Sequence, residues 1–327
     1  MNSQSKFTKR MMGLRLSGNL QPMVVTLLVL FFCIYAGYRS GDFWSALNWQ
    51  LLAQPLAEAG LVSLGMMFVI ASGGIDLSAG AIVGVAAVTA GIAARHKLPV
   101  PAIEAVALAA GMLGGAFNGL LIGVLRLSSI LVTLGSMILF SGVALALSNG
   151  NSFAGFPDGL LWWNDAAQLG IPVEFFLFLA IAAVAAVLLR YTLWGHYIIA
   201  IGSNAIAARY SGYPVALTLF GVYSLQGLLC GMTGILLVAR LASARADMGQ
   251  GLMLMAIAAV VLGGAPIVGG SASVIATLVG AAAFYIVQDG LLLLDVPPFV
   301  QYALTSAMLL VAVAAGNLLR GSREDRR

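Results

Sequence analysis

The chain alternates long apolar runs with short polar breaks, and the runs are longer than the helices of a soluble core. Windows of about 20 apolar residues, the length a helix needs to cross the hydrocarbon of a bilayer, centre near residues 29, 61, 84, 112, 139, 181, 227, 257, 280 and 308. This pattern predicts an all-α, polytopic membrane helical bundle with about ten transmembrane helices. One domain, 1–327, is expected, embedded over 19–319. The longest polar interval, Asn149–Pro172, leaves no room for a soluble domain. The first run, about Leu20–Tyr38, exceeds the apolar region of a signal peptide and is followed by no small-residue cleavage site, so it reads as a retained helix.

Within the runs, glycine recurs at four-residue spacing: Gly111, Gly115, Gly119 and Gly123, with Gly80/Gly84 and Gly227/Gly231 as shorter cases. Four residues is slightly more than one turn, so such glycines form a groove that admits another backbone. Two breaks carry paired glycines instead. One is Ala71–Gly80, joining the second and third runs; the other is Leu262–Ser271, joining the eighth and ninth. Irregular backbone near the membrane must be buried in protein or line a water-filled path. Gly73, Gly74, Gly263 and Gly264 are therefore candidates for a translocation pathway or gate. Asp76 and Ser78 are placed to cap the helix that follows, and both join the same candidate set. Glu58 lies inside the second run, just after Gln54 and Pro55. An ionisable group at depth should face the bundle interior or water, so Glu58 either lines the pathway or reaches the outer interface.

The segment Leu193–Pro214 differs in kind. Ser203 or Asn204 is a good helix N-cap, Gly212 a good C-terminal stop, and Pro214 cannot prolong a helix. About two turns of helix are expected inside a cytoplasmic loop, 191–214, between the sixth and seventh spans. Ala207 and Ala208 give it a small-residue surface for another protein, with Arg209 nearby.

Composition names the solvent. The chain is 61% hydrophobic and 9% charged, with a mean hydropathy of +1.01, against about 45–50% and about 25% in soluble domains. Lipid must cover much of the surface. The net charge of +4 matters through its placement. Lys6, Lys9, Arg10 and Arg15 precede the first run, and Arg320, Arg323, Arg326 and Arg327 follow the last. With Arg126, Arg190 and Arg209 they fall on one side, while Arg39, Arg95, Lys97, Arg240 and Arg245 fall on the other. Acidic Asp42, Asp158, Asp165, Glu174, Asp247, Asp289 and Asp295 fall on that other side too. The positive-inside rule then puts both termini in the cytoplasm. Flanking apolar spans, the basic ends read as membrane anchors and not as a nucleic-acid surface.

Candidate chemistry is sparse. Cys33 and Cys230 sit in apolar runs and make neither a disulfide framework nor a metal set. His96 and His196 fall in predicted loops on opposite sides, and no His/Asp/Glu cluster points to acid–base or metal catalysis. No catalytic residue and no metal are expected. A phosphate-binding loop needs Gly-Lys-Ser/Thr, yet Lys6, Lys9 and Lys97 follow Ser5, Thr8 and His96. An ion-coupled secondary transporter would place coupling carboxylates near the midplane, and Glu58 is the one plausible deep carboxylate in the pattern.

One set of stretches recurs in a specific order: Gly73-Gly-Ile-Asp-Leu-Ser-Ala-Gly80, Asn118-Gly119, Ile130-Leu-Val-Thr-Leu-Gly135 and Ser141-Gly142, then Ala200–Gly212, Leu236–Arg240, Ala256–Gly264 and Gly269-Gly270. Over roughly residues 50–315 the chain resembles the sugar-type permeases of ATP-binding-cassette importers. The resemblance implies one transmembrane permease domain in a bacterial inner membrane, carrying a monosaccharide or sugar-like solute inward. Autoinducer-type furanosides, nucleosides and other small polar solutes are the alternatives. It also implies that Ser203–Gly212 is a coupling helix docking on an ATPase, and it adds Asn118 to the pathway candidates. The implied partners are a second permease subunit (the same chain or another), a periplasmic solute-binding protein, and two ATPase subunits or a fused tandem ATPase. ATP and Mg would sit on the ATPase, with no cofactor on this chain.

Overall fold

A computed structural model describes residues 20–307 of the protein, apart from Leu169, Pro298, Tyr302 and Thr305. The helices are α1 (Leu20–Arg39), α2 (Ala46–Ala71), α3 (Ala79–Arg95), α4 (Val100–Gly119), α5 (Ser129–Ser148), α6 (Asp158–Asp165), α7 (Val173–Tyr191), α8 (Leu193–Ser203), α9 (Ala205–Tyr210), α10 (Val215–Leu241), α11 (Leu252–Leu262) and α12 (Val274–Leu293). α4 runs on into a wide π-type turn, Leu120–Val124. Two short antiparallel strands, β1 (Ala167–Gln168) and β2 (Ile171–Pro172), form a hairpin before α7.

Every predicted centre from residue 29 to residue 280 falls in a helix. The centre near residue 308 and the basic clusters at both termini lie outside the described residues. The helices are not ten equal spans, however. Among the described residues six are long and apolar enough to cross a membrane: α2, α4 with its continuation, α5, α7, α10 and α12. α3 and α11 are shorter, as is the described apolar stretch Val29–Arg39 of α1. α11 is short for a local reason. Gly249 and Gly251 break the helix before it, and Gly263-Gly264-Ala265-Pro266 stops it.

α2 and α10 form the centre, mostly buried, while α5 and α7 keep broad apolar faces outward. A helix apolar on all sides is stable only when surrounded by protein or lipid. The glycine groove of α4 lies against α10: a Cβ on Gly111 or Gly115 would strike the backbone of Gly227 or Tyr223. This close approach lets backbone meet backbone, which the four-residue spacing anticipated. Gly80 and Gly84 are different. Their bare face meets the non-helical backbone of Gly249 and Ala246 instead of another helix.

Two ends can be distinguished. The near end holds α8, α9 and the two glycine-rich breaks; the far end holds α6 and the hairpin, which the sequence read only as a polar interval. The far end is stitched by polar contacts: Trp163 Nε1 donates to Glu104 at 2.8 Å, Gln54 Nε2 to Asn164 at 3.0 Å and Asn48 Nδ2 to Asp289 at 2.8 Å.

Candidate functional site

The candidate residues occupy three separate places. Deep in the bundle, the turn between α2 and α3 places Asp76 and Ser78 against Asn118 of α4, and all three are buried. Asp76 Oδ1 accepts from the Ser78 backbone N–H at 2.8 Å and from Ser78 Oγ at 2.6 Å. Asn118 Nδ2 then donates to Ser78 Oγ at 2.7 Å. The expected helix cap is not made. Ser78 already has helical dihedrals at the N-cap position and forms no side-chain cap bond, so Asp76 closes a local turn onto Ser78 instead. From α5, Thr133 Oγ1 donates to the Ile75 carbonyl at 3.1 Å, and from α10 the Tyr223 hydroxyl abuts Gly74. Asp76 Oδ2 and Asn118 Oδ1 are buried with no hydrogen-bond partner.

Nearer the far end, Glu58 is almost fully buried in α2. Arg240, at the last turn of α10, grips it with both forks, Nε to Oε1 and Nη2 to Oε2, each at 2.7 Å. Thr233 Oγ1 donates to the Glu58 carbonyl at 3.1 Å. Glu174, at the start of α7, is buried beside this pair with neither carboxylate oxygen bonded. Glu58 thus points into the bundle, where Arg240 holds it. Arg240 and Glu174, which charge counting assigned to outer segments, are drawn into the same cluster. The signal for Arg240 was the lone buried acid itself, since a charge at depth calls for a counter-charge.

At the near end, Thr192 caps α8, its Oγ1 accepting from the Gly195 N–H at 3.2 Å. This helix was missed in the sequence, so His196 lies on a helix and not in a loop. Asn204 separates α8 from α9, and its Oδ1 accepts from the Ala207 N–H at 2.9 Å. Asn204, not Ser203, is the cap; Gly212 follows α9 with φ +81°. The expected Ala207/Ala208 surface divides in two. Ala207, Ile206, Arg209 and Tyr210 are exposed, whereas Ala208 is buried with Ile201 and Val215. Successive helix positions point about 100° apart, so Ala208 can turn toward Ile201 and Val215 while Ala207 faces out.

The glycine breaks meet at the foot of this elbow. Gly202 abuts the Ala71 carbonyl, Gly270 N–H donates to that carbonyl at 3.0 Å, and Gly269 packs on Gly73. Gly73, at φ +86°, takes a left-handed turn that a side chain would strain. Gly263, at the end of α11, faces Ala276 and Thr277 of α12, and Gly264 beside it takes φ +89°.

Residues 52–313 match the family described as Branched-chain amino acid transport system / permease component. The chain is 35% identical over 280 residues to the Autoinducer 2 import system permease protein LsrD of Photorhabdus temperata, covering 82% of this chain and 84% of that one. It is 36% identical over 260 residues to the protein of the same name from Salmonella typhimurium, covering 78% of each. No solved structure matches the chain.

Proposed function

The chain belongs to this family of transport-system permease components and is an importer permease, and we propose that its solute is a sugar-like molecule of the autoinducer-2 kind, driven inward by ATP hydrolysed on a separate subunit. The observation that carries this reading is the likeness to autoinducer 2 import permeases across about four-fifths of both chains. On this reading the protein spans a bacterial inner membrane about ten times, with the near end and both termini cytoplasmic. A second permease subunit, an ATPase pair and a periplasmic solute-binding protein complete the importer.

On this reading α9 is the lever of that assembly. α9 presents Ala207, Ile206 and Tyr210 outward from a capped elbow, the surface that would meet an ATPase. At its foot Gly202 and Ser203 are lodged against Ala71, Gly73 and Gly270. Force on α9 would then reach both glycine breaks, one leading into α3 and the other into α11 and α12.

The test is uptake by proteoliposomes holding the complete importer, with binding protein and either autoinducer 2 or D-ribose outside and ATP inside. Uptake is expected to need internal ATP and to survive an ionophore. Transport that follows an ion gradient without ATP overturns the energy source; ATP-dependent uptake of leucine and of neither sugar-like probe overturns the solute class.

A further inference from the structure

The segment between α10 and α11 folds back along α3 instead of standing clear of the bundle. Ala244 pairs with Phe153 through two backbone hydrogen bonds of 2.9 Å, and Phe153 packs on Gly91 of α3. Further on, the Ala246 and Gly249 carbonyls press on Gly84 and then Gly80. From Gly91 back to Gly80 is about 16 Å of helix at about 1.5 Å per residue. The chain thus travels non-helically alongside α3 before α11 begins, and Asp247 lies about 16–22 Å below the α3 far end.

Polar side chains stand in the open along this descent. Arg245 Nε pairs with Asp247 Oδ1 at 3.1 Å, yet the two side chains keep 56% and 52% of their surface exposed. Hydrocarbon does not solvate such a pair, and irregular backbone is tolerated only beside protein or a water-filled path. Next to it opens a cleft of about 530 Å³, within the roughly 300–1,000 Å³ range of small-molecule sites. Ser141 of α5, Asp247 and Gln250 supply its polar groups, and Met137, Ile138 and Met253 its apolar ones. The first turns of α3, at Gly80, and of α11, at Met253, both border it, as interrupted helices border solutes in other transporters.

We propose that this cleft is the solute-binding part of the translocation path, taking a neutral polyhydroxylated molecule. The inference rests on the importer reading above. Ser141 and Gln250 offer donors and acceptors for hydroxyl groups, and the methionines offer an apolar bed for the carbon face. Arg245 is already matched by Asp247, so the cleft presents no spare cation for an anionic solute. None of these residues was singled out as a pathway candidate in the sequence, where the expected pathway ran through Asp76 and the glycine breaks.

Thiol chemistry tests the site without assuming the solute. Ser141→Cys, Gln250→Cys and, as a control on the outward apolar face of α5, Leu134→Cys are made in the complete importer; native Cys33 and Cys230 are buried. A charged, membrane-impermeant methanethiosulfonate is expected to modify the first two and not the third, and the modification is expected to block uptake. In the same importer Gln250→Leu is expected to raise the half-saturating concentration of autoinducer 2 about 3- to 10-fold, the effect of losing one hydrogen bond. Inert Ser141→Cys and Gln250→Cys, in variants that assemble normally, overturn the proposal. If the unmodified importer moves neither autoinducer 2 nor D-ribose, the solute reading fails, and the labelling still decides whether the cleft is aqueous.

Discussion

Asp76 joins two donors on one oxygen, and that geometry predicts how the residue tolerates change. In Asp76→Asn the amide oxygen still accepts from Ser78, and the amide nitrogen brings a donor into a cluster where Asn118 Oδ1 has no partner. Uptake is expected to fall no more than about fivefold. Asp76→Leu strips the Ser78 N–H and hydroxyl of their acceptor, costing about 1–3 kcal/mol for each buried group, and is expected to abolish uptake and lower thermal stability. Equal loss in two well-folded variants would show that the charge itself is needed. The Glu58–Arg240 pair behaves differently because both members carry charge. Removing one partner of a buried pair typically costs about 3–5 kcal/mol, whereas replacing both with apolar side chains costs far less. Arg240→Met leaves Glu58 and Glu174 facing each other unserved, so its melting temperature in detergent is expected to drop sharply. Glu58→Met/Arg240→Met is expected to regain most of that loss; a double variant as unstable as the single one assigns the effect to packing.

Among the elements, α9 is the one whose two faces have different tasks. Ala207→Trp enlarges the exposed face and is expected to reduce co-purification of the ATPase and solute uptake, with the melting temperature of the permease unchanged. Ala208→Trp instead overpacks the junction of α8, α9 and α10, at about 1–3 kcal/mol, and is expected to destabilise the permease itself. Normal assembly, normal stimulated ATPase and normal uptake in Ala207→Trp remove α9 from the coupling mechanism. α3 and α11 share a different trait. Each is shorter than a full crossing because a turn rich in glycine replaces part of the span, and both border the same cleft.

For the whole molecule the placement of the basic residues makes one topological prediction. The near end, with α9, is expected in the cytoplasm and the far end, with α6, in the periplasm. Leu160 of α6 is buried, so a probe there would report packing and not sidedness. Asp158 and Ala205 are exposed at the two ends. Asp158→Cys is expected to react with an impermeant thiol reagent in intact cells, and Ala205→Cys only after the membrane is opened. Reaction of both from outside contradicts the orientation.

Local chemistry by itself determined where the apolar runs lie, how α4 would approach another backbone, and that a capped helix starts at Ser203 or Asn204. Those features depend on neighbours in sequence: run length, four-residue spacing, a cap and a stop. Partners distant in the chain were a matter for tertiary structure alone. Glu58 and Arg240 are 182 positions apart, and nothing local says that one buries the other's charge. The descent of residues 242–251 along α3 was hidden for the same reason, because its polar residues read as a loop until Gly80 and Gly84 are seen to receive its backbone. Ala208 and Ala207 have the same side chain, and only the packing of α8 and α10 decides that one is buried and the other exposed.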